Sequence, residues 1–156
     1  MNFILTHIPF YITSLQPKNM QLDFQNINIG DTLPILVKSP ITRTTLALFA
    51  GASHDHNPIH VDIDFAKKAG YKDVFAHGML GMAYLGQVLT NWVHPTAIKQ
   101  FSVRFKAITN LGDVLTCTGE VIEKMVKEEQ HFIRISLSVR NQDGEEKLAG
   151  KALIKV

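Results

Sequence analysis

The chain is expected to adopt an α+β fold in which a curved antiparallel sheet wraps one buried helix. Three observations point there. Met79 to Val93, MLGMAYLGQVLTNWV, is apolar nearly all the way round, and a helix of that composition has to be buried on most sides. Beyond it the hydrophobic period switches to two, with Phe101, Val103, Phe105 and Ala107 alternating with Gln100, Ser102, Arg104 and Lys106, as half-buried strands require. Successive strands joined by short turns imply an antiparallel meander, and the apolar helix is the element fit to fill its concave face. A length of 156 residues with 46% hydrophobic content suits one such domain and leaves little room for a second.

The elements follow in order. Residues 1–21 lack a basic leading region, and His7, Pro9 and Pro17 break their apolar run, so neither a secretion signal nor a membrane anchor is read there. The globular pattern begins at Leu22-Asp23-Phe24, which makes Met20 the expected start, residues 1–21 an N-terminal extension and residues 22–156 the domain. Leu33 to Lys38 reads as a short strand ending at Ser39-Pro40. Thr42 is a plausible N-cap for a helix carrying Leu46, Leu48, Phe49 and Ala50, closed by Gly51. Asn57-Pro58 marks a turn, and Asp62 or Asp64 caps a small helix through Phe65 and Ala69, stopped by Gly70. Gly81 and Gly86 each cost the buried helix about 1 kcal/mol relative to alanine, so close approach of a neighbouring backbone or ligand is the expected compensation. After the Gly112-Asp113 turn, Val114 to Met125 and then Ile133, Ile135, Leu137 and Val139 read as strands, and Asn141 to Gly144 form a hairpin into a last strand near Lys147 to Val156.

Composition narrows the function. A net charge of +2, from 16 basic and 14 acidic residues spread along the chain, gives no field that argues for nucleic acid. The single cysteine, Cys117, sits in an alternating apolar stretch and is read as a core residue of a protein in a reducing compartment, the cytoplasm.

Two polar islands interrupt the apolar pattern. Gly51 to Asp62 read GASHDHNPIHVD, and Phe75-Ala76-His77-Gly78 precede the buried helix. Asp55 and His60 lie on one irregular loop around the rigid Pro58, so both side chains can converge on one water, the geometric condition for acid–base work. A simpler reading makes Asp55 and Asn57 turn formers that bond neighbouring N–H groups. His54, His56 and His60 with Asp55 and Asp62 also resemble a metal cluster, although their spacing matches no standard zinc arrangement. Gly78 opens the helix, where the first N–H groups lack partners and the helix dipole is positive, so an oxygen gaining negative charge is favoured there. His77 supports that turn.

With Asp55-His56-Asn57-Pro58-Ile59-His60 and the later Ala76-His77-Gly78-Met79, the chain resembles the MaoC-like, hot-dog-fold hydratases. These include (R)-specific enoyl-CoA hydratases and the 3-hydroxyacyl thioester dehydratases of fatty-acid synthesis. The likeness covers about residues 25 to 156. Within the family it looks closest to the catalytic subunit of mycobacterial-type 3-hydroxyacyl-ACP dehydratases, through Ile41-Thr42-Arg43, the loop itself and Val103-Arg104-Phe105. The resemblance implies an Asp55/His60 dyad, Asp55 chiefly as base toward water and His60 holding that water, with Gly78 as an oxyanion donor. It implies no metal and no redox cofactor. Asn57, Pro58, His77, Met79, Gly86 and Arg104 are its substrate-binding candidates. Some (R)-hydratases carry a serine where Gly86 stands here, and Gly86 cannot hold a water as that serine does. Met79, Met82, Tyr84 and Trp92 are core residues, some of which line an acyl tunnel in the alternative reading. Arg104 and Lys106 form either a solvated face or a contact for the phosphates of CoA or acyl carrier protein.

The implied activity interconverts trans-2-enoyl and (R)-3-hydroxyacyl thioesters of CoA or acyl carrier protein. The implied assembly is a homodimer, or a heterodimer with a related hot-dog subunit. A hot-dog thioesterase is the rival enzyme, but it needs a carboxylate on or near the central helix, and Met79 to Val93 contain none. A non-catalytic acyl-thioester-binding subunit is the rival from another class, and it has no physical need for both Asp55 and His60.

Overall fold

The computed structural model describes residues 22–156. The expected extension over residues 1–21 lies outside the described residues. Five antiparallel strands form one sheet: β1 (Leu36–Val37), β2 (Ile98–Phe105), β3 (Thr116–Lys127), β4 (Gln130–Arg140) and β5 (Glu146–Lys155). The helices are α1 (Arg43–Ser53), α2 (Ile63–Lys68) and α3 (Gly78–Thr90), and α3 packs against β2, β3, β4 and β5. Ile133, Ile135, Leu137 and Val139 of β4 are all buried under it with Val121, Ala152 and Ile154, and Cys117 joins them, burial pushing its thiol up to about 11. This is the expected sheet around a helix. No helix among the described residues is long and apolar enough to cross a membrane.

Strand order differs from a simple meander. Only β3-β4-β5 run as neighbours in sequence; β2 lies on the far side of β5 and β1 on the far side of β3. Hairpin neighbours need a tight turn, and residues 106–115 instead make bonds elsewhere. Thr109 O accepts from Ala76 N–H at 2.9 Å, and Ile41 O accepts from Gly112 N–H at 2.8 Å. Residues 106–115 are therefore a docking segment, and β2 is left as an edge strand.

Three local expectations also change. The strand expected from Leu33 to Lys38 shrinks to Leu36–Val37, because Pro34 has no N–H for the ladder. Thr42 caps α1, its Oγ1 accepting from Thr45 N–H, but Gly51 does not close the helix. The helix runs on to Ser53 and stops at His54, which takes the left-handed conformation at φ 59°. Asp62, rather than Asp64, caps α2 by accepting from two backbone N–H groups, and Gly70 follows the helix at φ 90°.

α3 is buried on one side rather than on most. Leu80, Gly81, Leu85, Val88 and Leu89 face the sheet, whereas Met79 is 52% exposed. The two helix glycines therefore part company. A Cβ on Gly81 would lie 2.7 Å from Leu148 Cδ1, so close packing explains that residue. A Cβ on Gly86 would meet only Phe101 of β2, at the ordinary contact distance of 3.7 Å, so packing does not require glycine there.

Candidate active site

The loop after α1 is held by its own short polar side chains. Ser53 Oγ accepts from Asp55 N–H at 3.3 Å, Asp55 Oδ1 from Asn57 N–H at 3.2 Å, and Asn57 Oδ1 from Ile59 N–H at 3.1 Å. Pro58 then opens a single 3-10 turn, Pro58–His60, at the position where its missing N–H costs nothing. Asp55 and Asn57 are thus turn formers, and Asp55 keeps its second carboxylate oxygen for other work.

That turn delivers His60 into the protein. The residue is only 9% exposed, and its Nδ1–H donates to Phe75 O at 2.8 Å. The bond selects the tautomer whose Nε2 carries a lone pair. Burial is the main influence on its pKa and lowers it; the Phe75 bond and the Asp55 charge pull upward and His77 downward, leaving the group below the ordinary histidine value.

His77, the residue before α3, is 2% exposed. Its Nε2–H donates to the backbone O of Asp55 at 3.0 Å, and its ring lies over His60 with centroids 3.8 Å apart. His77 therefore ties the loop of Asp55 to the start of α3, the supporting role expected of it. Its Nδ1 has no partner among the described residues.

Asp55, His60 and His77 each offer a polar atom within 4.8 Å of the others. This trio differs from the cluster suggested by spacing: His54 and His56 stack on each other, and Asp62 is spent on its helix cap. Zinc needs nitrogen ligands at about 2.0–2.1 Å in tetrahedral directions. One nitrogen of each ring is bonded to a carbonyl, which leaves His60 Nε2 and His77 Nδ1 without a partner among the described residues.

Two cavities flank the start of α3. One, of about 370 Å³, is lined by Asp55, Phe49, Met79, Met82, Gly86 and Phe101. The other, of about 300 Å³, is lined by Gly78, Phe75, Phe105, Lys106, Ile108 and Leu148. Gly78 and Met79 are adjacent in sequence but face different cavities, and neither N–H has a backbone partner among the described residues. Asn57 and Pro58 are exposed on the loop. Arg104 is exposed on β2 and lines neither cavity, while Lys106 pairs with Glu146.

Sequence reasoning missed Phe49, Phe101 and Phe105 as cavity walls and the Phe75 carbonyl as the acceptor that orients His60. The period-two pattern did place Phe101 and Phe105 on one face of β2. Phe101 packs against the core and also lines a cavity, and Phe105 lines the other, because β2 is the edge strand beside α3.

Comparison with known proteins agrees with this geometry. The profile of the MaoC like domain matches residues 23–142. The chain is 37% identical over 100 residues to an (R)-specific enoyl-CoA hydratase of Rhodospirillum rubrum, covering 63% of this chain and 68% of that protein. It is 28% identical over 142 residues to a 3-hydroxybutyryl-CoA dehydratase of Methylorubrum extorquens, covering 90% and 87%. Its structure is similar to the unliganded R-hydratase PhaJ1 of Pseudomonas aeruginosa, with TM-score 0.72 and 30% identity over 84% of this chain and 83% of that one. The match across most of the described residues, on a sheet that curls around α3 with the Asp55–His60 loop at the helix start, makes this chain a member of the MaoC-like domain family.

Proposed function

We propose that the protein is a hydro-lyase that interconverts trans-2-enoyl and (R)-3-hydroxyacyl thioesters by acid–base chemistry at Asp55 and His60. One observation carries the reading: a buried imidazole with its tautomer set by Phe75 stands within 4.8 Å of a carboxylate at the rim of an apolar cavity. In hydration, Asp55 takes a proton from water as the water oxygen attacks C3. His60, neutral and with Nε2 as acceptor, holds that water through its second hydrogen. Electron density moves onto the thioester oxygen, where the unpartnered amides at the start of α3 stabilise it, and C2 then takes the proton that Asp55 removed from the water, which restores the carboxylate. Dehydration runs the same steps backward.

Phe49, Met79, Met82, Gly86 and Phe101 supply an apolar wall for the acyl chain. Gly86 supports this role, because the space a serine side chain would occupy stays open beside Phe101. A second hot-dog subunit, a copy of this chain or a related one, closes the site. The free edge of β2, the half-exposed Phe105 and the open side of α3 supply the surface for it. Placement beside the catalytic subunit of mycobacterial-type dehydratases rests on the Ile41-Thr42-Arg43 and Val103-Arg104-Phe105 segments, and Arg43 pairs with Asp73 next to the Phe75 turn. A buried, unpaired Cys117 suits a reducing compartment.

The test is loss of enoyl absorbance when the purified chain meets crotonyl-CoA and longer trans-2-enoyl-CoA substrates. Release of free thiol with unchanged enoyl absorbance would point to a thioesterase. Tight binding without turnover would point to a non-catalytic subunit.

The lowered pKa of His60 sets a pH signature. The neutral ring is the working form, so kcat/KM is expected to fall on the acid side with a midpoint below about 6.5, the ordinary histidine value. The linkage has the same sign. A depressed folded-state pKa means that the unfolded chain binds the proton first, so this contribution to stability is present above about 6.5 and is lost as pH falls through the folded value. A pH–rate profile beside an NMR titration of the His60 ring checks both. An acid limb centred above that value would reject the neutral-ring scheme.

A further inference from the structure

We propose that Lys147 is a positioning residue for the acid–base pair, clamping residues 106–108 and, through the segment that follows them, the Phe75–Gly78 turn that orients His60. This inference rests on the role given to Asp55 and His60 above. It begins with a β-bulge. Val139 pairs with Leu148 and Arg140 with Glu146, so Lys147 is the extra residue of β5, and bulges re-aim side chains. Lys147 turns inward and is 1% exposed.

In that position it makes three bonds to one segment. Its carbonyl accepts from Lys106 N–H at 2.9 Å and from Ala107 N–H at 3.3 Å, and its ammonium donates to Ile108 O at 2.7 Å. The neighbouring residues pass the constraint on. Thr109 O accepts from Ala76 N–H at 2.9 Å, and Asn110 forms a β-bridge with Phe75. Phe75 O is the acceptor that sets the His60 tautomer. The far end of the segment is fixed as well, since Asp113 accepts from Asn110 N–H at 2.9 Å and from Asn141 Nδ2 at 3.3 Å.

A buried ammonium is costly unless fully paired. Lys147 is paired with Asp113 at 3.2 Å and with Glu145. Burial pulls the pKa of Lys147 down, but Glu145 and Asp113 outweigh it and hold the group charged. An apolar side chain would fill this core position without that cost, but it could not hold the Ile108 carbonyl. Directional bonding to a cavity wall is what the charge adds.

The experiment compares Lys147→Met with the double variant Lys147→Met/Asp113→Asn. Removing only the ammonium leaves a buried carboxylate unpaired, so the single variant is expected to unfold at lower temperature. The double variant removes both charges, and the amide oxygen that replaces the Asp113 carboxylate can still accept from Asn110 N–H, so the unfolding midpoint is expected to recover. In both, kcat for enoyl-CoA hydration is expected to fall about 10- to 100-fold with KM changed less than about threefold, the cost of sub-ångström misplacement of catalytic groups. The histidine-ring 15N spectrum is expected to lose the single Nδ1–H tautomer of His60. Recovery of kcat together with stability in the double variant, or an unchanged His60 signal, would overturn the proposal. If Lys147→Met alone does not fold, the double variant carries the same test. The ring spectrum needs no turnover. A wild-type chain inactive on every enoyl-CoA would therefore sink the proposed reaction while the His60 signal still judged the clamp.

Discussion

Asp55→Asn is expected to lower kcat for enoyl-CoA hydration by about 10²–10⁴-fold, the range for removal of a general base, with little change in the unfolding midpoint. The substitution separates shape from proton affinity. Asparagine keeps the oxygen that accepts from Asn57 N–H, and the backbone carbonyl that receives His77 Nε2–H is untouched. The loop is therefore expected to stay in place while the group that takes the proton from water is lost. His60→Gln is expected to cost similar turnover and also stability, about 1–3 kcal/mol, because the Phe75 carbonyl loses its buried donor and the His77 ring its stacking partner. Circular dichroism and thermal unfolding beside the kinetics distinguish the two variants. Near-normal turnover of Asp55→Asn on every accepted enoyl thioester would remove the carboxylate from the mechanism.

The parts of this protein legible in its sequence are those with a local cause. A period of two placed Ile133, Ile135, Leu137 and Val139 in the core, and the Asp-x-x-x-x-His loop around Pro58 brought Asp55 near His60. An aspartate cap at position 62 or 64 was legible because a carboxylate competes well for exposed N–H groups, and Asp62 fills it. Features decided by distant partners were not legible. The edge position of β2 depends on pairing with β5, far downstream in the chain (Phe101↔Ala152, Phe105↔Leu148), and hydrophobic alternation contains no information about which strand is the neighbour. Apolar composition of α3 implied burial on most sides, whereas one side faces the sheet and Met79 is 52% exposed, a difference that composition alone does not contain. His77 shows the same limit. Its place before the helix suggested a supporting role, whereas its stacking on His60 required the turn and the loop to meet in space. Lys147 marked only the approximate start of the last strand in the sequence, and the bulge between β4 and β5 turns it inward.

Gly78→Ala is expected to lower kcat/KM by about 10²–10³-fold, comparable to loss of one oxyanion donor, while leaving the chain folded. Alanine suits a helix better than glycine by about 1 kcal/mol, and Gly78 is not at a positive φ, so the backbone tolerates the change. The obstacle is steric and lies in the cavity. The new Cβ would stand 2.8 Å from Phe105 Cε1 and 2.9 Å from Cδ1, closer than carbon atoms pack. Phe105 is 51% exposed and free to swing, so the protein avoids the clash by moving the ring that lines the cavity in front of the helix start. A ligand oxygen then loses its close approach to the Gly78 N–H, both to the ring and to the methyl group. Combining Gly78→Ala with Phe105→Ala separates the two causes. Recovery toward wild-type turnover assigns the loss to the displaced ring. Persistence of the loss assigns it to the methyl group occupying the ligand's path to the amide. Wild-type kinetics in Gly78→Ala itself would mean that no oxygen of the reacting thioester approaches this amide, and the negative charge would have to be met elsewhere on α3.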